Sequence, residues 1–353
     1  MKILGIESSC DETAAAVVED GRKLLSNVVA SSMDLHARYG GVVPEIAARS
    51  HIEAIIPTIK QALSDAKTDW SQIDGIAVTY GAGLGGSLLV GVLAARTLAI
   101  IKNKPLYAIN HVEAHVYANF LTQTTLPNYT LREKTPTFPL LALIVSGGHS
   151  QFVLFLEHFH YTLLGQTQDD AIGEAFDKVA KMLGLPYPGG PSIGQKAQAG
   201  NPWAFDLPKA KMSGKYDFSF SGLKTAVLRL AQNQIGADYN FPSKSLSERL
   251  SEPQKADIAA SFQRVAVETV VDKTILAFHE FRPKSVVIAG GVAASPELRR
   301  QLAERLPIEI TYPDHKLCTD NGAMVATLGC FKAAANQPQA NPQSLAIEPS
   351  LSM

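Results

Sequence analysis

The sequence predicts a two-lobed α/β protein, and three observations carry that reading. Short apolar runs alternate with stretches of helical spacing, which argues for a mixed α/β sheet. A strand–polar turn–strand pattern occurs twice, as ILGIESSCDETAAAVVE from residue 3 and LALIVSGGHSQFVLFLE from residue 141, an internal duplication of pattern rather than identity. At 353 residues with 46% apolar and 18% charged side chains, the chain exceeds one ordinary domain and can fill a core in each of two.

The elements follow in order. Residues 2–7 and 14–18 read as strands around a polar first turn, and residues 22–30 as a third strand of the same meander. Residues 43–66 repeat Ile46, Ile52, Ile55, Ile56, Ile59 and Leu63 at helical spacing. A buried strand at 76–80 runs into the loop GAGLGGS, followed by an apolar helix near 88–101 and a strand at 106–110. Residues 122–139 carry Pro127, Pro136 and Pro139 among polar residues and read as an exposed linker or inserted loop. The second copy then gives strands at 140–146, 151–155 and 161–165 and a helix at 169–183. Residues 186–224 are rich in Gly and Pro and read as a long, functional loop. Helices at 223–234 and 252–281, a strand at 285–289, a helix at 296–306, a strand at 308–312 and a helix at 321–335 follow. The polar, Pro-containing stretch after Asn336 reads as mobile. These elements group as residues 1–115 with about 315–353 in one lobe and 116–314 in the other, the latter carrying the 186–224 insertion.

Composition excludes several classes. Three cysteines (Cys10, Cys318, Cys330) make no disulfide framework and point to a reducing, cytoplasmic setting. Glu7, Asp11 and Glu12 fall where a secretory signal would need an apolar core. Residues 75–95 lack any charge, yet six glycines with Thr79, Tyr80 and Ser87 fit strand, loop and buried helix better than a bilayer span, so no membrane is expected. With 32 Lys+Arg against 33 Asp+Glu, any grip on nucleic acid must be local or shared with other subunits.

The sharpest chemical signal is His111-Val112-Glu113-Ala114-His115. Two histidines four apart on a helix share one face and can share a metal ion. In metalloproteases of the His-Glu-x-x-His type the glutamate adjoins the first histidine, whereas Glu113 sits two residues on, roughly 200° round the helix and away from such a metal. Two imidazoles leave a cation wanting an anionic ligand. Asp320, in Cys318-Thr319-Asp320-Asn321-Gly322, offers one; it stands equally well as the cap of the helix that starts there, and spacing alone leaves both roles open.

Three small-residue turns follow strands, at residues 8–13, 146–150 and 290–295, where backbone amides can approach a phosphate. Together, with two of them opening the duplicated hairpins, they suggest a nucleotide held between related lobes. Lys209, Lys211, Lys215 and Lys224, in and beside the Gly/Pro-rich stretch, are either solvated surface charges or contacts for nucleic-acid phosphates.

These motifs, with VVPEIAARSHIE (residues 42–53), GEAFDKVAKMLGL (173–185), YPGGP (187–191), FSFSGLKTA (218–226) and VVIAGGVAAS (286–295), occur in one order over nearly the whole chain. The sequence resembles the bacterial TsaD family, the tRNA N6-adenosine threonylcarbamoyltransferases once called O-sialoglycoprotein endopeptidases. The resemblance implies the duplicated actin/sugar-kinase/heat-shock-chaperone fold, built on ribonuclease H-like lobes. It implies a divalent metal, iron(II) or alternatively zinc, on His111, His115 and Asp320. It implies threonylcarbamoyl-AMP as donor and tRNA as acceptor, bound in part by Ile144, Val145, Ser146, Gly147, Gly148, Asp177, Gly190, Gly290 and Gly291. Asp11 or Glu12 would take the proton from the adenosine amine. TsaB, a shorter paralogue, and the ATPase TsaE would be partners. The chain departs from the family at Ser295, where asparagine is usual next to the nucleotide, and at Ala82, where proline is frequent. A metallopeptidase and a bare nucleotide-binding regulator are the competing classes.

Overall fold

Near-continuous apolar runs at the start of the chain form strands because their sheet is covered on both faces. The computed structural model describes residues 1–353, the side chain of Ala37 aside, and comprises two units, Met1–Pro136 with Tyr312–Met353, and Thr137–Thr311. The first unit opens with strands β1 (Lys2–Glu7), β2 (Glu12–Glu19) and β3 (Lys23–Ser31) and a short helix α1 (Met33–Ala37). Helix α2 (Pro44–Asp65), strand β4 (Gly75–Gly81), helix α3 (Gly85–Lys102), strand β5 (Leu106–Asn110), helix α4 (His111–Tyr117) and strand β6 (Gln123–Thr124) follow. The sheet order is β5-β4-β1-β2-β3-β6, with β1 antiparallel to β2 and parallel to β4. Leu4, Ile6, Ala15 and Val17 pack with Ile55 and Ile59 of α2 and Val92 and Ala95 of α3 in one core.

The second unit contains β7 (Leu140–Val145), β8 (Ser150–Glu157), β9 (His160–Gln166), α5 (Ile172–Met182), α6 (Gly189–Ala197), α7 (Ser221–Gln234), α8 (Leu246–Arg249), α9 (Glu252–Phe281), β10 (Ser285–Ala289), α10 (Pro296–Arg305) and β11 (Ile310–Thr311). Its sheet order is β11-β10-β7-β8-β9. This repeats the β5-β4-β1-β2-β3 portion of the first sheet strand for strand, with the same parallel and antiparallel pairings. The duplication read from two hairpins is therefore a duplication of five strands. The chain returns to the first unit as α11 (Gly322–Ala334). A Cβ on Gly5 would collide with the backbone of Gly322 and Ala326, so glycine in β1 lets α11 lie directly on the face opposite α2 and α3.

Three readings of the sequence change. The helix expected from residue 169 starts at Ile172, because the Asp169 carboxylate accepts from the backbone N–H groups of Phe220 (2.8 Å) and Ser221 (3.3 Å). The Gly/Pro-rich stretch 186–224 is not all loop: its GGPSIGQKA portion is helix α6, packed against α9. The stretch after Asn336 is docked rather than mobile. Ala340 N donates to Leu106 O (2.7 Å), and the Arg96 guanidinium donates to the carbonyls of Pro342 (2.7 Å), Gln343 and Leu345 (3.2 Å). Its Leu345 and Ile347 pack on the first unit's core.

Helix α3 is long and apolar enough to cross a membrane, but Leu88, Val92, Ala95 and Ala99 face the protein interior and the helix packs on α2 and β4.

Candidate metal centre and nucleotide-binding turns

Strand β5 ends at Asn110, and its side chain starts helix α4: Oδ1 accepts from the backbone N–H groups of Val112 (2.9 Å) and Glu113 (3.3 Å). The helix is buried along its whole length and presents His111 and His115 on one face, their ring centroids 4.8 Å apart and their planes at 78°. From more than 200 residues further on, Asp320 brings Oδ1 to 3.5 Å from His111 Nε2 and 3.3 Å from His115 Nε2. One ligand atom from each of the three residues lies within 4.8 Å of the others. The capping alternative for Asp320 falls to its neighbour: Asn321 Oδ1 accepts from Met324 N at 3.0 Å. Its Nδ2 meanwhile donates to the Thr319 and Leu317 carbonyls.

A second layer orients the first. His111 Nδ1 lies 3.1 Å from Ser9 Oγ and 3.3 Å from Glu7 Oε2, which leaves Nε2 as the nitrogen turned to Asp320. Glu7 is fully buried; Oε1 accepts from Ser9 N (2.5 Å) and Oε2 from Thr79 Oγ1 (2.6 Å). This carboxylate–histidine arrangement fixes the tautomer and ring angle of a metal-ligating imidazole. Burial alone would disfavour a charged His111, but Asp320 and Glu7 outweigh it and raise its pKa to about 9. Burial likewise opposes ionisation of Glu7, and the neighbouring His111 holds its carboxyl below the usual range.

The donor set suits a cation. His115 is 1% exposed, and neither ring nitrogen makes a hydrogen bond; the 3.3 Å approach of Asp320 lacks hydrogen-bond geometry. A buried imidazole with both nitrogens unsatisfied is costly. A metal ion taking the Nε2 lone pair beside an anionic oxygen removes that cost, and two nitrogens with one carboxylate match borderline divalent ions.

Glu113, as its position on the helix predicts, is apart from this cluster. It is buried, its charged neighbour is Lys332 of α11, and burial pushes its carboxyl up to about 7. A peptidase reading is not favoured.

The turn after β1 lies beside the centre and is braced from several elements. Leu84 N donates to Ser9 O (2.7 Å), Ser87 Oγ to Cys10 O (3.1 Å) and Ser32 Oγ to Asp11 O (2.7 Å). Buried His51 lies 2.7 Å from Thr13 Oγ1 through Nδ1 and 3.0 Å from Cys10 O through Nε2. The Glu12 carboxylate accepts from Ser31 Oγ (2.8 Å) through Oε1, while its Oε2 has no hydrogen-bond partner. Burial, with Asp11 and Asp320 nearby, pushes Glu12 up to about 7; burial also raises Asp11. Burial and the flanking carboxylates push the Cys10 thiol far up, which leaves it a poor nucleophile. Glu7, Thr79, Asn110 and His51 were not read as parts of a site; for Asn110, directly before a histidine pair, helix-start chemistry is the signal that could have found it.

In the second unit Ile144 and Val145 end β7 in the core, and the Ser146–His149 turn is closed by Ser146 Oγ accepting from His149 N (3.0 Å). Gly290 has φ +88° and passes against the Val145 carbonyl, with Gly291 next in the turn; a side chain there would be strained and blocked. Gly147, Gly148 and Gly190 face open space, and Asp177 Oδ1 accepts from Gly189 N (2.7 Å). Ser295 caps α10, its Oγ accepting from Leu298 N (3.4 Å). Lys209 pairs with Glu268 and Asp272, Lys215 with Glu280 and Lys224 with Asp170, so these lysines are engaged within the unit.

Comparison with known proteins shows the family. Residues 23–327 match the family model described as TsaD: tRNA N6-adenosine threonylcarbamoyltransferase. The protein of that name from Thermomicrobium roseum is 52% identical over 343 residues, covering 94% of this chain and 92% of its own. The one from Symbiobacterium thermophilum is 49% identical over 332 residues, covering 93% and 91%. Among solved structures, HypF of T.kodakarensis aligns with TM-score 0.59 at 13% identity over 97% of this chain and 49% of its own. Component A of the (R)-2-hydroxyglutaryl-CoA dehydratase of Acidaminococcus fermentans aligns with TM-score 0.50 at 18% identity, covering 95% and 99%. These two share the fold alone, the duplicated actin/sugar-kinase/heat-shock-chaperone architecture. On sequence match along nearly its whole length, the chain belongs to the TsaD family of tRNA N6-adenosine threonylcarbamoyltransferases.

Proposed function

We propose that the chain transfers the threonylcarbamoyl group from threonylcarbamoyl-AMP to N6 of the adenosine 3′ to the anticodon, position 37, in tRNAs reading ANN codons. The observation that carries this reading is the convergence of His111, His115 and Asp320 in a chain whose residues 23–327 match the family. The donor is a mixed carbamic–phosphoric anhydride. The N6 amine attacks its carbonyl carbon, a C–N bond forms, the bond to the phosphate oxygen breaks, AMP leaves, and one proton is lost from N6.

A divalent ion, for which we propose iron(II) with zinc as the alternative, supplies Lewis acidity and a template for oxygen ligands when bound. His111, His115 and Asp320 hold it, and Glu7 and Ser9 fix the His111 ring. Asp11 and Glu12 are the bases available to the amine; a carboxyl near 7, as Glu12 has, is matched to proton transfer at neutral pH. The turns at Ile144–Gly148 and Gly290–Gly291, with Asp177, Gly190 and Ser295, are assigned to the adenylate and its threonylcarbamoyl arm.

The exposed apolar face formed by Ile52 and Ile56 of α2 with Leu89 and Leu93 of α3 supports a protein partner, and the family resemblance makes that partner TsaB, with TsaE as a further subunit. The lysine pairing within the second unit favours shared tRNA binding. Three cysteines that form no disulfide fit a cytoplasmic enzyme.

The test is complementation. In bacteria depleted of their own transferase, this chain restores threonylcarbamoyladenosine in tRNA, read by nucleoside mass spectrometry, and Asp320→Ala does not. A stably expressed wild-type chain that restores none contradicts the reading.

A further inference from the structure

The segment that follows α11 ends beside the metal centre. After the Arg96 clamp, Glu348 N donates to Tyr80 O (2.8 Å), and Gly83 N donates to Pro349 O (3.1 Å). Asn110 Nδ2 donates to Ser352 O at 3.1 Å. Gly81 is a glycine for the same reason, since a Cβ there would collide with the Glu348 carbonyl.

Two routes lead from this segment to His111. Asn110 uses its Oδ1 to cap α4, and the bond from Nδ2 to Ser352 O fixes the rotation of that amide, hence the helix start whose first residue is His111. Gly83 belongs to the loop whose next residue, Leu84, donates to the Ser9 carbonyl, and the Ser9 hydroxyl lies 3.1 Å from His111 Nδ1. The routes run through main-chain and amide groups and, in the second, end on the Ser9 hydroxyl; neither passes through a ligand atom.

We propose that residues 347–353 are a positioning element of the metal centre: they hold Asn110 and the 82–84 loop in the register that aims His111 Nε2 at the ion. The proposal rests on His111, His115 and Asp320 being a metal site. It assigns a role to residues beyond the 23–327 match of the family model.

The experiment compares the wild type with a variant lacking residues 347–353 and with full-length Arg96→Ala. The latter frees the middle of the segment and touches neither Asn110 nor a ligand. Cobalt(II) is the probe, read by its ligand-field spectrum and its dissociation constant at a temperature where circular dichroism shows both variants folded. Hydrogen exchange at the Val112 and Glu113 amides is followed in the metal-free protein. The proposal predicts that cobalt binds about tenfold more weakly with an altered spectrum, the size typical of lost outer-layer support. It also predicts faster exchange at both amides in both variants. Unchanged exchange, or an unchanged cobalt affinity and spectrum in folded variants, overturns it. Failure of the wild type itself to take up cobalt would sink the metal assignment alone, and the exchange rates would still decide whether the segment holds α4.

Discussion

Oδ1 of Asp320 sits 3.3 Å from Nε2 of His115, although 205 positions separate the two in sequence. The approach depends on a division of labour between neighbours. Asn321 takes the helix-capping duty at the start of α11, and Asp320, one residue earlier, is left to turn its carboxylate toward the two imidazoles.

That division predicts opposite outcomes for adjacent substitutions. Asp320→Asn removes the anionic ligand, lowers metal affinity at least about tenfold and leaves the cap of α11 in place. Asn321→Ala removes a buried cap and costs about 1–2 kcal/mol of stability. Metal titration and chemical denaturation of both variants check the pair.

Metal binding is expected to depend on pH in one direction. His111 in the metal-free protein has its pKa raised to about 9, so at neutral pH a proton competes for the imidazole. Affinity therefore climbs roughly tenfold per pH unit from 7 toward 9 and then levels. The same shift stabilises the metal-free fold: the contribution is fully present below the unfolded-state pKa of about 6.5 and is lost as pH rises through the folded value. Isothermal titration with zinc across pH 6.5–9.5 measures the first effect, and denaturant midpoints over the same range the second.

Glu7 acts on the metal only through His111. Glu7→Gln keeps the side-chain length but removes the buried negative charge, and we expect metal affinity to fall roughly 10-fold or more while Asp320 and His115 stay in place. Retention of full affinity would show that Ser9 orients the ring without the carboxylate.

In the second unit Gly290 carries the backbone requirement. With φ +88° and the Val145 carbonyl in the way, Gly290→Ala costs on the order of 1–3 kcal/mol and weakens nucleotide binding, readable as a lower denaturation midpoint and a weaker AMP titration.

Much of this was legible in the residues. The duplicated hairpins announced the duplicated sheet, because buried strands read as apolar runs and small polar turns read as breaks. His111 and His115 announced themselves by helical spacing. Asp320 did not, since an acidic residue before a helix is ordinary capping chemistry and only tertiary structure shows that Asn321 does that work. Glu7 looked like the polar end of a strand, and its burial became visible only with Thr79 and His111 around it. The 337–353 stretch reads as mobile on composition, because most of its anchors are main-chain N–H and carbonyl groups held by Arg96 and strand edges, which leave no trace in side-chain type, and its Leu345 and Ile347 are too few to announce a docked segment.

Asp11 and Glu12 separate by their effects on chemistry alone. Asp11→Ala should abolish transfer with metal content unchanged, as measured by elemental analysis beside the activity assay; retained transfer removes Asp11 from proton transfer and leaves Glu12.

The most direct measurement is transfer of labelled threonylcarbamoyl from synthetic adenylate to unmodified tRNA, run with the bacterial partner proteins and comparing wild type with His111→Ala. The account predicts label in tRNA and stoichiometric AMP from the wild type, and neither from the variant. A folded, metal-loaded wild type that gives no labelled tRNA with competent partners would contradict it.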